Sequence, residues 1–177
     1  MADYTTIMLL GPKHSGKTTT GTALAKLLGI PFIDLDEAIE QSMGRSPREL
    51  YREGADVFRQ AEAETLLSVI RQDTPQAVIA AGGGIIDNEQ ALALLMGQKR
   101  LLGVYLAVST ETAWQRISAS TELPPFLETE NPQETHRLLH ERRAAAYQAL
   151  ADCTISGEGK APEAVAEEIR NYLLAML

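Results

Sequence analysis

Cysteine is all but missing: Cys153 is the only one in 177 residues, so no internal disulfide can form. It sits between Leu150-Ala151-Asp152 and Thr154-Ile155, and reads as a small buried hydrophobe near a strand rather than a nucleophile. Positive charge is also scarce. Sixteen Lys+Arg face 24 Asp+Glu, giving a net charge of −8. That balance argues against a broad nucleic-acid or anionic-membrane surface, so an anionic substrate must be met by a local cluster of bases. No apolar run approaches the ~18 residues of a membrane span. Met1-Ala2-Asp3-Tyr4 has no basic stretch before an apolar core, so no secretory signal is expected and the expected compartment is the cytoplasm. Internal repeats and low-complexity segments are lacking too. What is present is a 45% hydrophobic composition, enough to bury a core, at a length that predicts a single domain over residues 1–177.

The most informative segment is Gly11-Pro12-Lys13-His14-Ser15-Gly16-Lys17-Thr18. It fits G-x-x-x-x-G-K-[ST] at every fixed position. An apolar, strand-like run, Thr6 to Leu10, leads in, and a helical run, Thr19 to Leu28, leads out. The strand fixes the loop at its carboxyl end, the glycines let backbone N–H groups turn towards an anion, and the helix adds the positive end of its dipole. Lys17 would reach the β/γ-phosphates and the Thr18 hydroxyl would ligate Mg²⁺. A glycine-containing connection with no ligand is the bland alternative, and the correct flanks on both sides weigh against it. At the variable positions, Lys13 and His14, the backbone does the binding.

Strand patterns fall at 6–10, 32–34, 77–80, 101–108 and 153–155. Helical patterns fall at 16–28, 36–43, 47–52, 56–71, 88–96, 110–119, 132–150 and 161–176, with Pro162 in the first turn of the last. Strands separated by helices predict right-handed crossovers and a parallel sheet covered on both faces, an α/β three-layer fold. Ligands then bind beyond the carboxyl ends of the strands, which puts Gly11–Thr18, Asp34/Asp36 and Gly82–Gly84 on one rim. The stretch 119–132 holds three prolines and three glutamates with no Lys or Arg, and reads as a lid or insertion.

Four further constellations carry chemistry. Asp34 and Asp36 are i, i+2 at a strand end: one can hold Mg²⁺ through water and the other accept a hydroxyl proton, while Asp36 can also cap the following helix. Arg59 and Glu62 are i, i+3 neighbours on a helix, either a surface pair or a carboxylate orienting a bidentate arginine. Gly82-Gly83-Gly84 is more glycine than a plain turn needs, and invites close backbone approach by a ligand. Arg142 and Arg143, with Arg137, form the densest basic cluster, either an anion site or a solvated helix face. Arg116 can stack on an adenine or simply solvate its helix. His136 and His140, i and i+4 on a helix face expected to be exposed, lack an evident third metal ligand.

In this order the segments resemble the shikimate kinase family. Its pattern is a phosphate loop, F-x-D-x-D-x-x-I-E, F-R-x-x-E, G-G-G and R-x-x-x-Y. Here those read Gly11–Thr18, Phe32 to Glu40, Phe58 to Glu62, Gly82 to Gly84 and Arg143 to Tyr147. The resemblance covers nearly the whole chain. It implies a five-stranded P-loop fold of the nucleoside-monophosphate-kinase kind that moves the γ-phosphoryl of ATP to the 3-hydroxyl of shikimate. The implied nucleotide site is Gly11, Lys13, His14, Ser15, Gly16, Lys17, Thr18 and Thr19, with Arg116 packing on adenine. Lys17 and Asp36 would be catalytic, and Asp36 would meet the acceptor's hydroxyls. Arg59 and Arg143 would bind its carboxylate, and Gly82, Gly83 and Gly84 would line its ring. Thr18 and Asp34 would serve Mg²⁺. Residues 36–62 become the substrate-binding segment and 119–132 the lid, in a protein expected to be monomeric. The chain departs from the pattern in two places. Lys13-His14 replaces small or apolar loop residues, and Pro124 stands where the family lid carries an arginine. A base from elsewhere, with Lys13 the best placed, is expected to substitute. The alternatives are a same-fold kinase acting on another hydroxylated acid or sugar acid, or a nucleotide-binding module that has lost catalysis.

Overall fold

The structure, a computed structural model, describes residues 6–71 and 76–176; the N-terminal residues read above for a leader lie outside them. Five parallel strands form one sheet in the order β2-β3-β1-β4-β5. They are β1 (Thr6–Leu10), β2 (Phe32–Asp34), β3 (Ala77–Ala80), β4 (Leu101–Ala107) and β5 (Cys153–Ser156). The helices are α1 (Lys17–Leu28), α2 (Leu35–Met43), α3 (Pro47–Glu53), α4 (Ala55–Arg71), α5 (Glu89–Met96), α6 (Thr110–Ser118), α7 (Pro132–Leu150) and α8 (Pro162–Ala175). Single 3₁₀ turns sit at Ile85–Asp87 and Pro125–Leu127.

The period of two along a strand divides the core. In β1, Met8 and Leu10 join Ile79, Tyr105 and Tyr147 on one face, while Ile7 and Leu9 join Leu24, Val104 and Ile169 on the other. β1 is paired along both edges, by β3 and β4, and packed side chains cover both of its faces, so Met8 to Leu10 are essentially without solvent exposure. The loop after β1 is thereby fixed at the centre of the sheet's carboxyl edge. Cys153 lies in β5, half-buried, and burial together with Asp152 pushes its thiol up to about 11, so it stays protonated.

Three expectations need correcting. The second helix starts at Leu35, not residue 36, and its cap is Asp34, whose carboxylate accepts from the backbone N–H of Asp36 at 3.0 Å. Asp36 therefore lies inside the first turn rather than capping it. The reason is that β2 ends with Asp34 in extended conformation, where a carboxylate can fold back onto the next N–H groups. His136 and His140 are buried, not exposed. With Tyr147 they share the inward stripe of α7; their rings pack on each other at a tilt (5.6 Å), and that of His136 also packs on Trp114 of α6 (5.5 Å). Burial lowers both imidazole pKa values, which keeps them neutral as packing groups.

Candidate active site

The phosphate loop is shaped by backbone strain. Gly11 has φ +145°, and a Cβ there would lie 2.7 Å from the Leu106 carbonyl oxygen, so only glycine fits. His14 is the one non-glycine residue with positive φ (60°) among those described. Strained backbone of this kind is retained where surrounding contacts hold it, and Arg116 Nη1 donates to the His14 carbonyl at 2.9 Å. Arg116 thus braces the loop from α6. Lys17 is buried, and its Nζ donates to the carbonyls of Gly11 (2.9 Å) and Pro12 (2.7 Å). Burial brings its pKa down to about 8, with Asp36 and Asp34 acting in the opposite direction.

A cavity of about 740 Å³ opens over this loop, within the range of small-molecule sites. It is lined by the loop from Lys13 to Thr20, by Asp34 and Asp36, by Gly82–Gly84, by Arg116 and Arg143, and by Pro124–Phe126 of the lid. Thr18 Oγ1 donates to Asp34 Oδ2 at 2.7 Å, so the two expected metal ligands are already together. Among the described residues no group of three or more His, Cys, Asp and Glu is arranged to hold an ion alone. A cation beside Thr18 and Asp34 would need phosphate oxygens to complete its shell, the usual habit of Mg²⁺. Asp36 lines the cavity and stays solvent-exposed on its open side. Partial desolvation by the surrounding protein, and after it the charge of Asp34, raises its pKa, while Lys17 and Lys13 oppose the rise.

Arg143 also reaches the cavity. Its Nη2 lies 2.7 Å from Asp87 Oδ2, and its Nε donates to the same oxygen at 2.8 Å. Asp87 takes Arg142 Nη1 as well, at 2.7 Å. The Phe126 ring of the lid lies 5.4 Å from the guanidinium carbon of Arg143, a cation–π contact. Arg137 is spent on Glu134 and Glu141 at the surface.

The Arg59–Glu62 pairing does not form in either expected version. Arg59 binds Asp56 at 3.2 Å, is 45% exposed and does not line the cavity. Glu62 turns inward to Asn88, because on α4 position 62 falls on the stripe of Ala61, Thr65, Leu66 and Val69 that faces the core. The three glycines are partly explained by the protein itself. A Cβ on Gly83 would crowd the Lys13 backbone nitrogen at 3.1 Å, and one on Gly82 would crowd Asp36 and Glu62. Tyr147, fully buried, donates its hydroxyl to the Gly83 carbonyl.

Two of the lid's three acids are engaged away from the phosphate loop. Glu122 and Glu128 pair with Arg48 at 3.1 and 3.2 Å, and Glu128 also pairs with Arg52 at 3.3 Å. They tie the lid to α3. Asp87, Arg48 and Arg52 were not legible as site residues, since each is a single charged residue whose partner lies 50 or more positions away.

A parallel sheet of this order, with a phosphate loop closing onto a buried lysine and an acid-and-arginine cavity beside it, defines a P-loop phosphotransferase. A family model described as shikimate kinase matches residues 13–174. Among curated relatives, shikimate kinase of Marinomonas sp. is 37% identical, covering 92% of this chain and 88% of its own. That of Moorella thermoacetica is 38% identical, covering 97% and 95%. The solved structure of shikimate kinase from Acinetobacter baumannii in complex with shikimate superposes with a TM-score of 0.88 at 32% identity, covering 99% of this chain and 96% of that one. The chain belongs to the shikimate kinase family, whose members take their phosphoryl group from ATP.

Proposed function

We propose that the protein transfers the γ-phosphoryl group of ATP to the 3-hydroxyl of shikimate. The observation that carries this reading is one cavity lined together by Lys17, Thr18, Asp36 and Arg143. Lys17 and the loop N–H groups hold the triphosphate. Thr18 and Asp34, paired hard oxygens, would hold Mg²⁺, which when bound neutralises charge on the phosphates. Asp36 accepts the proton of the attacking hydroxyl. Arg143 receives the carboxylate. Its Nε–Nη2 edge is fixed by Asp87, and the Phe126 contact settles its plane. Arg59 joins by leaving Asp56, an exposed pair of small net worth. The segment 36–62 and the lid 119–132 close the acceptor end, in a protein acting as a cytoplasmic monomer. Measuring ADP release with and without shikimate, and detecting the phosphate ester by phosphorus NMR, tests the assignment. ADP formed only with a different hydroxylated acid would move the substrate, and none with any acceptor would remove the kinase reading.

Arg143→Leu should raise the KM for shikimate at least about tenfold, since a charged hydrogen bond contributes roughly 1.5–3 kcal/mol. Arg59→Leu should act in the same direction, and the KM for ATP should hardly move in either variant. Steady-state kinetics in both substrates check this; a rise confined to the ATP KM would misplace the carboxylate end.

Residues 117–135, which span the lid, contain no Lys or Arg. Lys13 lines the cavity and bears electrostatically on both Lys17 and Asp36, so it supplies the extra cation at the transferring group. Lys13→Ala should lower kcat at least about tenfold, and adding Pro124→Arg should recover part of that loss, a fraction of the ~10³–10⁵ an arginine can contribute. A fully active Lys13→Ala enzyme would remove Lys13 from the mechanism.

A further inference from the structure

The lid has no base of its own, but two of its acids share one on α3. Glu122 and Glu128 bracket Pro124-Pro125-Phe126-Leu127. That stretch makes a 3₁₀ turn which buries Leu127 and sets Phe126 against the Arg143 guanidinium. Arg48 Nη2 lies 3.1 Å from Glu122 Oε2 and 3.2 Å from Glu128 Oε1, so a single guanidinium nitrogen holds the turn from both sides. Arg52, one turn further along α3, adds a contact to Glu128 Oε1 at 3.3 Å. Arg48 itself lines the cavity, together with Pro47 and with Pro124, Pro125 and Phe126 of the lid.

An isolated exposed ion pair contributes little, because water screens it and two long side chains must be ordered to make it. Here much of that order is already built in. Helix α3 is fixed at its start by a reciprocal capping box between Ser46 and Glu49, with Pro47 in its first turn and Leu50 buried. Consecutive prolines restrict the backbone of the lid turn. The Arg48 side chain is only 29% exposed and its Nε is enclosed. Both glutamates stand in solvent, which leaves the pairs sensitive to salt. The sign of the charge matters as well. Residues 119–132 carry three glutamates and no base, so nucleotide phosphates would repel this lid rather than draw it down. The pull that keeps it over the cavity comes from α3 instead.

We propose that Arg48, seconded by Arg52, is a positioning residue that latches the lid through Glu122 and Glu128 and so keeps Phe126 on Arg143 with or without nucleotide. The kinetic consequence rests on the kinase reading of the cavity; the latch does not. The test follows amide hydrogen exchange of residues 120–131 by mass spectrometry, without nucleotide or acceptor, in four proteins. They are the wild type, Arg48→Met, the double variant Glu122→Gln with Glu128→Gln, and the combination of all three changes. Exchange of the lid should quicken about three- to tenfold in Arg48→Met and in the double variant, while α4 exchanges as before. The combination should be no faster than either, because a latch with one side removed has nothing left to hold. Sodium chloride at about 1 M should bring the wild type up to the variants and leave them where they are. Apparent affinity scales with the closed fraction, so the KM for shikimate should rise about three- to tenfold in Arg48→Met, with the KM for ATP hardly moved. A wild-type lid that already exchanges as freely as the variants, effects that add in the combination, or a rise confined to the ATP KM would each overturn the proposal. An active kinase with four identical lids loses the latch alone. A salt-sensitive lid on a protein that phosphorylates no acceptor loses the kinase reading alone.

Discussion

Lys17→Ala is expected to lose nearly all phosphoryl transfer and to leave the protein folded. The ammonium is the only buried cation of the phosphate loop, and it lies within 3 Å of two loop carbonyls at the mouth of helix α1. On the proposed reading it would meet phosphate oxygens instead once ATP is bound. Two charge-assisted hydrogen bonds at roughly 1.5–3 kcal/mol each correspond to a rate loss of roughly 10²–10⁴. Stability should change little. Burial places the folded-state pKa at about 8, below the ordinary value of 10.5. A lowered lysine pKa means that the charge costs stability below about pH 8, and that this cost fades as pH rises towards the unfolded value. Alanine removes the cost together with two hydrogen bonds to carbonyls, and the two changes oppose each other. Turnover at saturating substrates and the Tm, measured side by side near pH 7, decide the matter. A variant with near-normal turnover and normal unfolding would strip Lys17 of its role.

Asp36→Asn should lower kcat by roughly 10²–10⁴, the usual scale of a lost general base, while leaving Tm unchanged or raised. The helix cap does not depend on it, because Asp34 accepts the N–H groups at the start of α2. The raised pKa of Asp36 has a definite sign. A carboxylate whose folded pKa lies above its unfolded value costs stability once it ionises, so the loss of the charge above the ordinary carboxylate range is neutral or favourable. It also relieves repulsion from Asp34. The informative result is the split between kcat and Tm. Unchanged kcat would leave Asp36 with no part in proton transfer, and a large fall in Tm would assign it to structure.

Most of the fold was legible because its signals are local. Short, largely apolar runs of three to seven residues, alternating with helical stretches, give parallel strands. Gly16, Gly29 and Gly44 mark helix boundaries by their left-handed backbone. Lys17, Thr18, Asp34, Asp36, Gly82 and Arg143 were legible as a site because each follows a strand or sits in a motif, and every strand of a parallel sheet points its carboxyl end to the same rim. The partners of these residues were not legible. Periodicity says that position 62 of α4 faces inward, but not that Asn88, 26 residues on, will be there to receive it. The acidic lid gave no sign of what its charges meet until α3 brought Arg48 and Arg52 against Glu122 and Glu128. The exposed reading of His136 and His140 failed for the same reason, since α6 packs on α7 and sets Trp114 against His136. The sequence by itself determined the order of strands and helices, the phosphate loop and the chemistry that loop can do. Tertiary structure alone decided which charges meet. Propensity and capping act over a few residues, whereas an ion pair or a buried carboxyl depends on two segments far apart in the chain being packed to within about 3 Å.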